Sequence, residues 1–349
     1  MNVSQDDLRK AATSSGLSTD QADLLWQALQ SNPNIAEKPK FDVTNVAYYL
    51  GALIVIGAMG WFMNKAWEAF GGAGIFAIAS GYTVCFLLAG RTLWNQALRI
   101  PGGLLFTIAV CMAPLAVYGL ERWTGFWPEN DPGQYVNFHP YINGSWLLMK
   151  VATVAAGLVV LRIWRFPFLT APIAYALWYM SMDLVELFGN HQGMGWEEKQ
   201  IVSAVFGGVM LLVSYLIDLR GKADDYAFWG YLFGLMAFWG GLSSMNSDSE
   251  VGKLVYCLIN LALIFCSLVL KRRTFIVFGA LGFFGYLGHL AYEVFADSIL
   301  FPFALTLLGI GIICLGVQYQ RRRKIIEQHF RKIILPHLRG LIPARALVE

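Results

Sequence analysis

Residues 252–293 read GKLVYCLINLALIFCSLVLKRRTFIVFGALGFFGYLGHLAYE. Two apolar runs, 252–270 and 274–293, flank three consecutive cations, Lys271, Arg272 and Arg273. A bilayer hydrocarbon core about 30 Å thick takes roughly 20 residues of helix, and each run is close to that length. Their apolarity is continuous and not alternating, so helices satisfy the backbone in lipid where barrel strands would not fit the pattern. The segment reads as two antiparallel transmembrane helices joined by a tight basic turn.

The same pattern recurs on both sides of it. Runs 45–64, 71–90, 101–119, 146–163, 166–187, 200–217 and 227–246 precede it, and 299–319 follows. The composition agrees, at 57% hydrophobic and 14% charged with a mean hydropathy of +0.53. We expect an all-α, polytopic integral membrane protein of about ten transmembrane helices. Three parts follow: a cytoplasmic helical hairpin and linker at 1–43, a transmembrane domain at 44–319, and a basic amphipathic cytoplasmic tail at 320–349. The polar first 43 residues lack the apolar core of a cleavable signal peptide.

Charge sets the threading. Loops on one side carry Arg91, Arg99, Arg162, Arg165, Arg220, Lys222, Lys271, Arg272 and Arg273, while the other side carries Lys65, Arg122, Lys199 and Lys253. The richer side faces the cytoplasm, so an even number of spans puts both termini there, N-in and C-in. Trp61, Trp67, Trp146 and Trp196 mark outer ends and Trp94, Trp164 and Trp229 inner ends, as interfacial belts do. Mid-span Trp178 and Trp239 read as packing. Short inner turns make spans two and three, four and five, six and seven, and eight and nine antiparallel neighbours. Gly230 and Gly234, and Gly279, Gly282, Gly285 and Gly288, let backbones approach, for internal packing or for a dimer face. Phe166-Pro167-Phe168 and Phe301-Pro302-Phe303 open two spans at opposite faces, a hint of a five-plus-five inverted repeat. All five cysteines, Cys85, Cys111, Cys257, Cys266 and Cys314, fall within spans and read as packing residues.

In the hairpin, Ser4 can cap a first helix and Gly16 can end it. Ser18 with Gln21 makes a capping box for a second helix to about Gln30, with Leu24, Leu25, Ala28 and Leu29 as its apolar stripe. So small a unit buries little core alone and is expected to dock on the membrane domain or on a cytoplasmic protein partner. In the tail, Ile326, Phe330, Ile333 and Ile334 share a helical face, framed by Arg321, Arg322, Arg323, Lys324, Arg331 and Lys332. That profile fits contact with anionic inner-leaflet lipids and not with nucleic acid.

No metalloprotease, nucleophile-elbow, Walker or dinucleotide signature is present, and the five histidines are not spaced as metal ligands. We therefore assign no catalytic residue, no metal and no cofactor. Ionisable groups inside spans are costly, about 2.5–3.5 kcal/mol at the centre on insertion scales. Lys150 and Asp183 sit roughly 6 Å below the outer boundary at 1.5 Å per residue, on spans expected to be neighbours, so an ion pair is open to them. Glu186 lies one turn from Asp183, and His289 with Glu293 lies at similar depth. These five form an expected outer-side polar cluster, which either pairs for structure or lines a cavity for a solute or protons. Asn260 reads as an interhelical hydrogen bond. The aromatic stretch 120–145 reads as a flap on the outer interface.

The helical hairpin with Gly16-Leu17-Ser18 and Gln21, followed by Tyr48-Tyr49-Leu50-Gly51-Ala52-Leu53, Trp61 and Trp67, resembles the bacterial predicted membrane proteins called domain of unknown function 2157. The likeness covers roughly the first 120 residues. It implies a bacterial inner-membrane protein and carries no site residues. The functional expectation is a transporter-like or permease-like protein. A non-transporting scaffold or sensor, and an intramembrane or lipid-modifying enzyme, are the alternatives. Oligomeric state is not legible.

Overall fold

The computed structural model describes residues 5–31, 43–66, 70–126, 144–188, 196–221, 224–245, 249–295, 300–333 and 343, and these are helical with no strand among them. The chain divides into two compact units, Met1–Gly51 and Ala52–Glu349.

In the first unit, α1 (Gln5–Ser14) and α2 (Thr19–Ser31) form the expected hairpin. Gly16 turns the chain at φ +79°, where a Cβ is disfavoured, and Leu17 N–H closes the end of α1 on the Ala12 carbonyl at 2.9 Å. The capping box forms as read: Gln21 N–H donates to Ser18 Oγ at 3.3 Å and Ser18 N–H donates to Gln21 Oε1 at 3.1 Å. Arg9 adds a two-pronged bridge to Asp23, both contacts at 2.9 Å. Ala12 and Ala22 are buried, whereas Leu24 and Leu25 are exposed. The Ser4 cap, the linker with Pro33 and Pro39, and the side chains of Ala28 and Leu29 lie outside the described residues.

Helix α3 (Val43–Ala66) runs across the division. Then follow α4 (Gly71–Asn95), α5 (Arg99–Cys111), α6 (Ala113–Thr124), α7 (Gly144–Ile163), α8 (Thr170–Phe188), α9 (Trp196–Arg220), α10 (Phe228–Ser244), α11 (Glu250–Leu270), α12 (Arg273–His289) and α13 (Phe301–Ile333). Among the described residues six segments are long and apolar enough to cross a membrane: Gly71–Asn95, Arg99–Thr124, Glu197–Arg220, Glu250–Leu270, Arg273–Val294 and Phe301–Gln318. The other expected stretches are helical too, as α3, α7, α8 and α10.

The faces of these helices are inverted relative to a soluble protein. On α11 the buried side holds Cys257, Asn260 and Ser267, while Leu254, Leu258, Leu261, Phe265 and Leu268 are exposed. On α9, Gln200, Ser214 and Asp218 are buried and Ile201, Val205, Leu212 and Leu216 are exposed. Small and polar residues inside with leucines outside is the pattern lipid selects, because apolar contact with lipid costs nothing and close backbone packing supplies the cohesion.

Three expected runs differ in detail. The run 101–119 is two helices hinged at Met112, because Pro114 lacks the N–H that would continue the ladder. Residues 120–124 extend that helix and do not begin a loop, and 127–143 of the aromatic stretch lie outside the described residues. Helix α13 runs unbroken for 33 residues, about 50 Å at 1.5 Å per residue, so the tail's first cations continue the axis of the last span.

The four expected hairpins all form: α4 packs on α5 and α6, α7 on α8, α9 on α10, and α11 on α12. Two buried cores organise them. One joins α4, α6 and α7 through Ile75, Ala79, Leu115, Tyr118 and Met149. The other joins α10, α11 and α12 through Tyr231, Leu235, Leu263 and Phe275. Helix α8 bridges the lobes by packing on α9 and α10. Glycine permits the tightest crossings. A Cβ at Gly207 or Gly119 would strike the backbone of Phe238 or Phe76.

Trp94, Trp164 and Trp229, expected at inner ends, pack on Phe106, Phe166, Phe168 and Phe233. Phe166 is buried in that cluster while Phe303, its counterpart in the second Phe-Pro-Phe, is exposed.

Candidate functional site

A cleft of about 1010 Å³ opens where the end of α10, the start of α11 and the end of α12 meet. Ser243, Tyr256, Tyr286, Lys253, His289 and Glu293 are among its lining residues. Antiparallel packing of α11 on α12 brings the first turn of one level with the last turn of the other, and that places four ionisable groups together. Lys253 Nζ lies 3.0 Å from Glu250 Oε1 and 3.5 Å from Glu293 Oε2. His289 Nδ1 lies 2.8 Å from Glu293 Oε2, and its Nε2 lies 3.3 Å from Glu250 Oε2. A neutral imidazole has one N–H, so both His289 contacts are hydrogen bonds only in the imidazolium form. The chain carries Glu293 on a π-helical turn, Leu290–Val294, closed by Phe295 N–H on the Leu290 carbonyl at 2.9 Å.

Next to Ile259, which lines the cleft, Asn260 is 1% exposed. Trp239 Nε1–H donates to Asn260 Oδ1 at 3.2 Å, and Asn260 Nδ2 donates to the Tyr256 carbonyl at 2.8 Å. This is the interhelical bond expected of Asn260. Gly279 and Gly282 make room for it, since a Cβ on either would collide with Asn260. Gly285 and Gly288 face open space, so only part of the glycine series serves internal packing. At the cleft's edge, Ser243 Oγ and Tyr256 Oη share a hydrogen bond of 2.8 Å.

The opposite end of the same helices is closed by Arg272. Its Nη2 and Nε donate to Asp218 Oδ1 and Oδ2 at 2.6 and 3.2 Å, and its Nη1 donates to Asp225 Oδ2 at 2.5 Å. Tyr231 Oη donates to Asp218 Oδ2 at 3.4 Å, and the guanidinium lies 5.3 Å from the Tyr231 ring centroid. Arg272 and Asp218 are both buried. Burial alone would push the guanidinium down, but its bonds to Asp225 and Asp218 outweigh that and hold it above its ordinary value.

Of the five residues expected to form one outer-side polar cluster, two meet each other and two further ionisable groups. His289 and Glu293 join Glu250 and Lys253. Lys150 is buried on α7, with Nζ 4.3 Å from the centroid of the Tyr179 ring of α8. Asp183 and Glu186 lie on α8, but their side chains are outside the described residues, so the Lys150–Asp183 pair lies there too. Of the lipid-contact residues, Arg321 is exposed, and Arg322, Arg323, Lys324, Arg331 and Lys332 fall on the described backbone of α13 with side chains outside it.

Residue-by-residue reading missed Glu250, Asp218, Asp225 and Glu121, and treated Lys253 and Arg272 only as loop charges. The first four-group set was accessible, because Glu250 and Lys253 are one turn apart at the start of a span whose partner ends in His289 and Glu293. Asp218 was marked only by being a carboxylate in the last turn of an apolar run. Glu121 of α6 is 3% exposed and neither carboxyl oxygen has a hydrogen-bond partner among the described residues. Comparisons with protein-family models, with curated proteins and with solved structures find no match to this chain.

Proposed function

We propose that this chain is a multi-pass protein of a bacterial inner membrane, with about ten spans and both termini cytoplasmic. In this reading it is transporter-like and receives a small polar solute in the cleft among α10, α11 and α12. The observation that carries it is the cleft wall, where Lys253, His289 and Glu293 sit together on membrane-length helices, with Glu250 bonded to Lys253 and His289 beside it. Ionisable groups on such helices mark water-filled paths and substrate sites. The wall offers both signs of charge with hydroxyls beside them, which suits a zwitterion or a small amine. The distribution of loop cations supports the orientation, and the basic continuation of α13 supports contact with anionic inner-leaflet lipid.

The test is thermal stability of the purified protein against separate panels of zwitterions, amines, carboxylates and sugars. A ligand at one hundred times its Kd stabilises by about 2.7 kcal/mol. One class should stabilise the protein and lose its effect in Lys253→Met and in Glu293→Gln. No shift with any class, or a shift that persists in both variants, overturns the reading. For orientation, Ser243→Cys should label from outside intact cells with an impermeant thiol reagent.

A second reading, a scaffold or sensor, is favoured by Leu24 and Leu25, which stand 65% and 49% exposed on the N-terminal hairpin. Crosslinking in cells that is abolished by Leu24→Ser with Leu25→Ser, in a protein that binds no solute, would select it.

A further inference from the structure

We infer that Arg272 is the closed gate at the end opposite the cleft, and that its release opens a path toward the cleft. The inference rests on the cleft being a solute site. At the His289 end the cleft lies between α10, of the α9–α10 hairpin, and the α11–α12 hairpin. At the other end Arg272, from the turn between α11 and α12, ties them by reaching Asp218 at the end of α9 and Asp225 in the turn before α10. Between gate and cleft lies the apolar plug of Tyr231, Leu235, Leu263 and Phe275, with Trp239 and Phe278 packed against it. Trp239 also holds Asn260, whose neighbour Ile259 lines the cleft, so gate, plug and cleft follow one another along these helices.

The chemistry suits a contact that parts and re-forms. A buried ion pair gives little net stability over apolar packing of the same volume, so stability alone is a poor reason for it. Its members sit in the turns and last helical turn, where separated charges reach water, while the plug behind them cannot hold a charge. Opening at the Arg272 end and closing at the His289 end is then a rocking of one hairpin on the other about the α10–α12 contact, the motion that alternating access requires.

Native Cys266 packs against the plug and reports on it without alteration, and Ser243→Cys reports on the cleft. The protein is reconstituted in lipid nanodiscs and labelled with N-ethylmaleimide, and each site is read by peptide mass spectrometry. With Arg272→Ala, Cys266 should label at least tenfold faster and the cleft cysteine severalfold slower. Arg272→Lys keeps the charge but loses the two-pronged hold, and should shift both rates in the same directions by less. If Arg272→Ala does not fold, Arg272→Lys decides. Parallel acceleration at both sites means simple loosening and overturns the gate, as does unchanged Cys266 labelling in a folded variant. No solute enters this experiment, so it can fail or succeed independently of the solute panels.

Discussion

Gly282→Ala tests the close packing of α12 on α11, two of the helices that line the cleft. Gly282 is buried on α12, and an added Cβ would fall on the carboxamide of Asn260, closer than any van der Waals contact allows. The amide cannot simply rotate away, because Trp239 holds its oxygen and the Tyr256 carbonyl holds its nitrogen. Either α12 moves off α11, at an overpacking cost of about 1–3 kcal/mol, or the amide swings out and leaves a buried indole N–H unpaired, at about 1–3 kcal/mol. Alanine's better helix propensity returns at most about 1 kcal/mol. The net expectation is a loss of about 1–3 kcal/mol. Gly285→Ala is the control, since nothing lies within 4 Å of its Cβ position; it should be neutral or slightly stabilising. Asn260→Ala on top of Gly282→Ala removes the collision, so the double change should cost less than the sum of the single ones. Tryptophan fluorescence of detergent-solubilised protein during heating ranks the variants. Equal stability of Gly282→Ala and Gly285→Ala, or strict additivity of the double change, would refute the reasoning.

Other outcomes follow from the same geometry. Ser18→Ala removes the side-chain half of the capping box and should cost about 1 kcal/mol, seen as roughly fivefold faster amide hydrogen exchange in the first turn of α2 and nowhere in Ala52–Glu349. Glu121→Gln replaces a buried carboxyl without a hydrogen-bond partner among the described residues by an amide of the same shape that cannot ionise, and should raise the thermal midpoint, because an ionised carboxylate is costlier to bury than an amide; a lower midpoint would show that the carboxyl is needed. Arg272 is held above its ordinary value, so its contribution is full below the unfolded guanidinium value and is lost only as pH rises through the still higher folded one. Between pH 7 and 10 the Arg272→Lys variant and the parent should therefore keep a constant difference in midpoint, and convergence over that window would contradict the assignment.

The sequence by itself determined the class and the local structure. Continuous apolar runs leave the backbone no choice but helix, the short basic turns dictate antiparallel neighbours, and Gly16, Ser18 and Gln21 write the N-terminal hairpin in residues that interact only within a few positions. Asn260 was legible as an interhelical bond because a lone carboxamide in an apolar run must find a partner on another helix. The composition of the sites was decided only by the tertiary structure. His289 and Glu293 pair with Glu250 and Lys253, and Arg272 joins Asp218 and Asp225 across 54 and 47 positions of chain. In a membrane helix the apolar pattern that reveals the span is nearly uniform around it, so it fixes depth but not rotation. Which face of α12 meets α11 is set by where glycines let backbones close, and that rotation decides which charges at a given depth can touch.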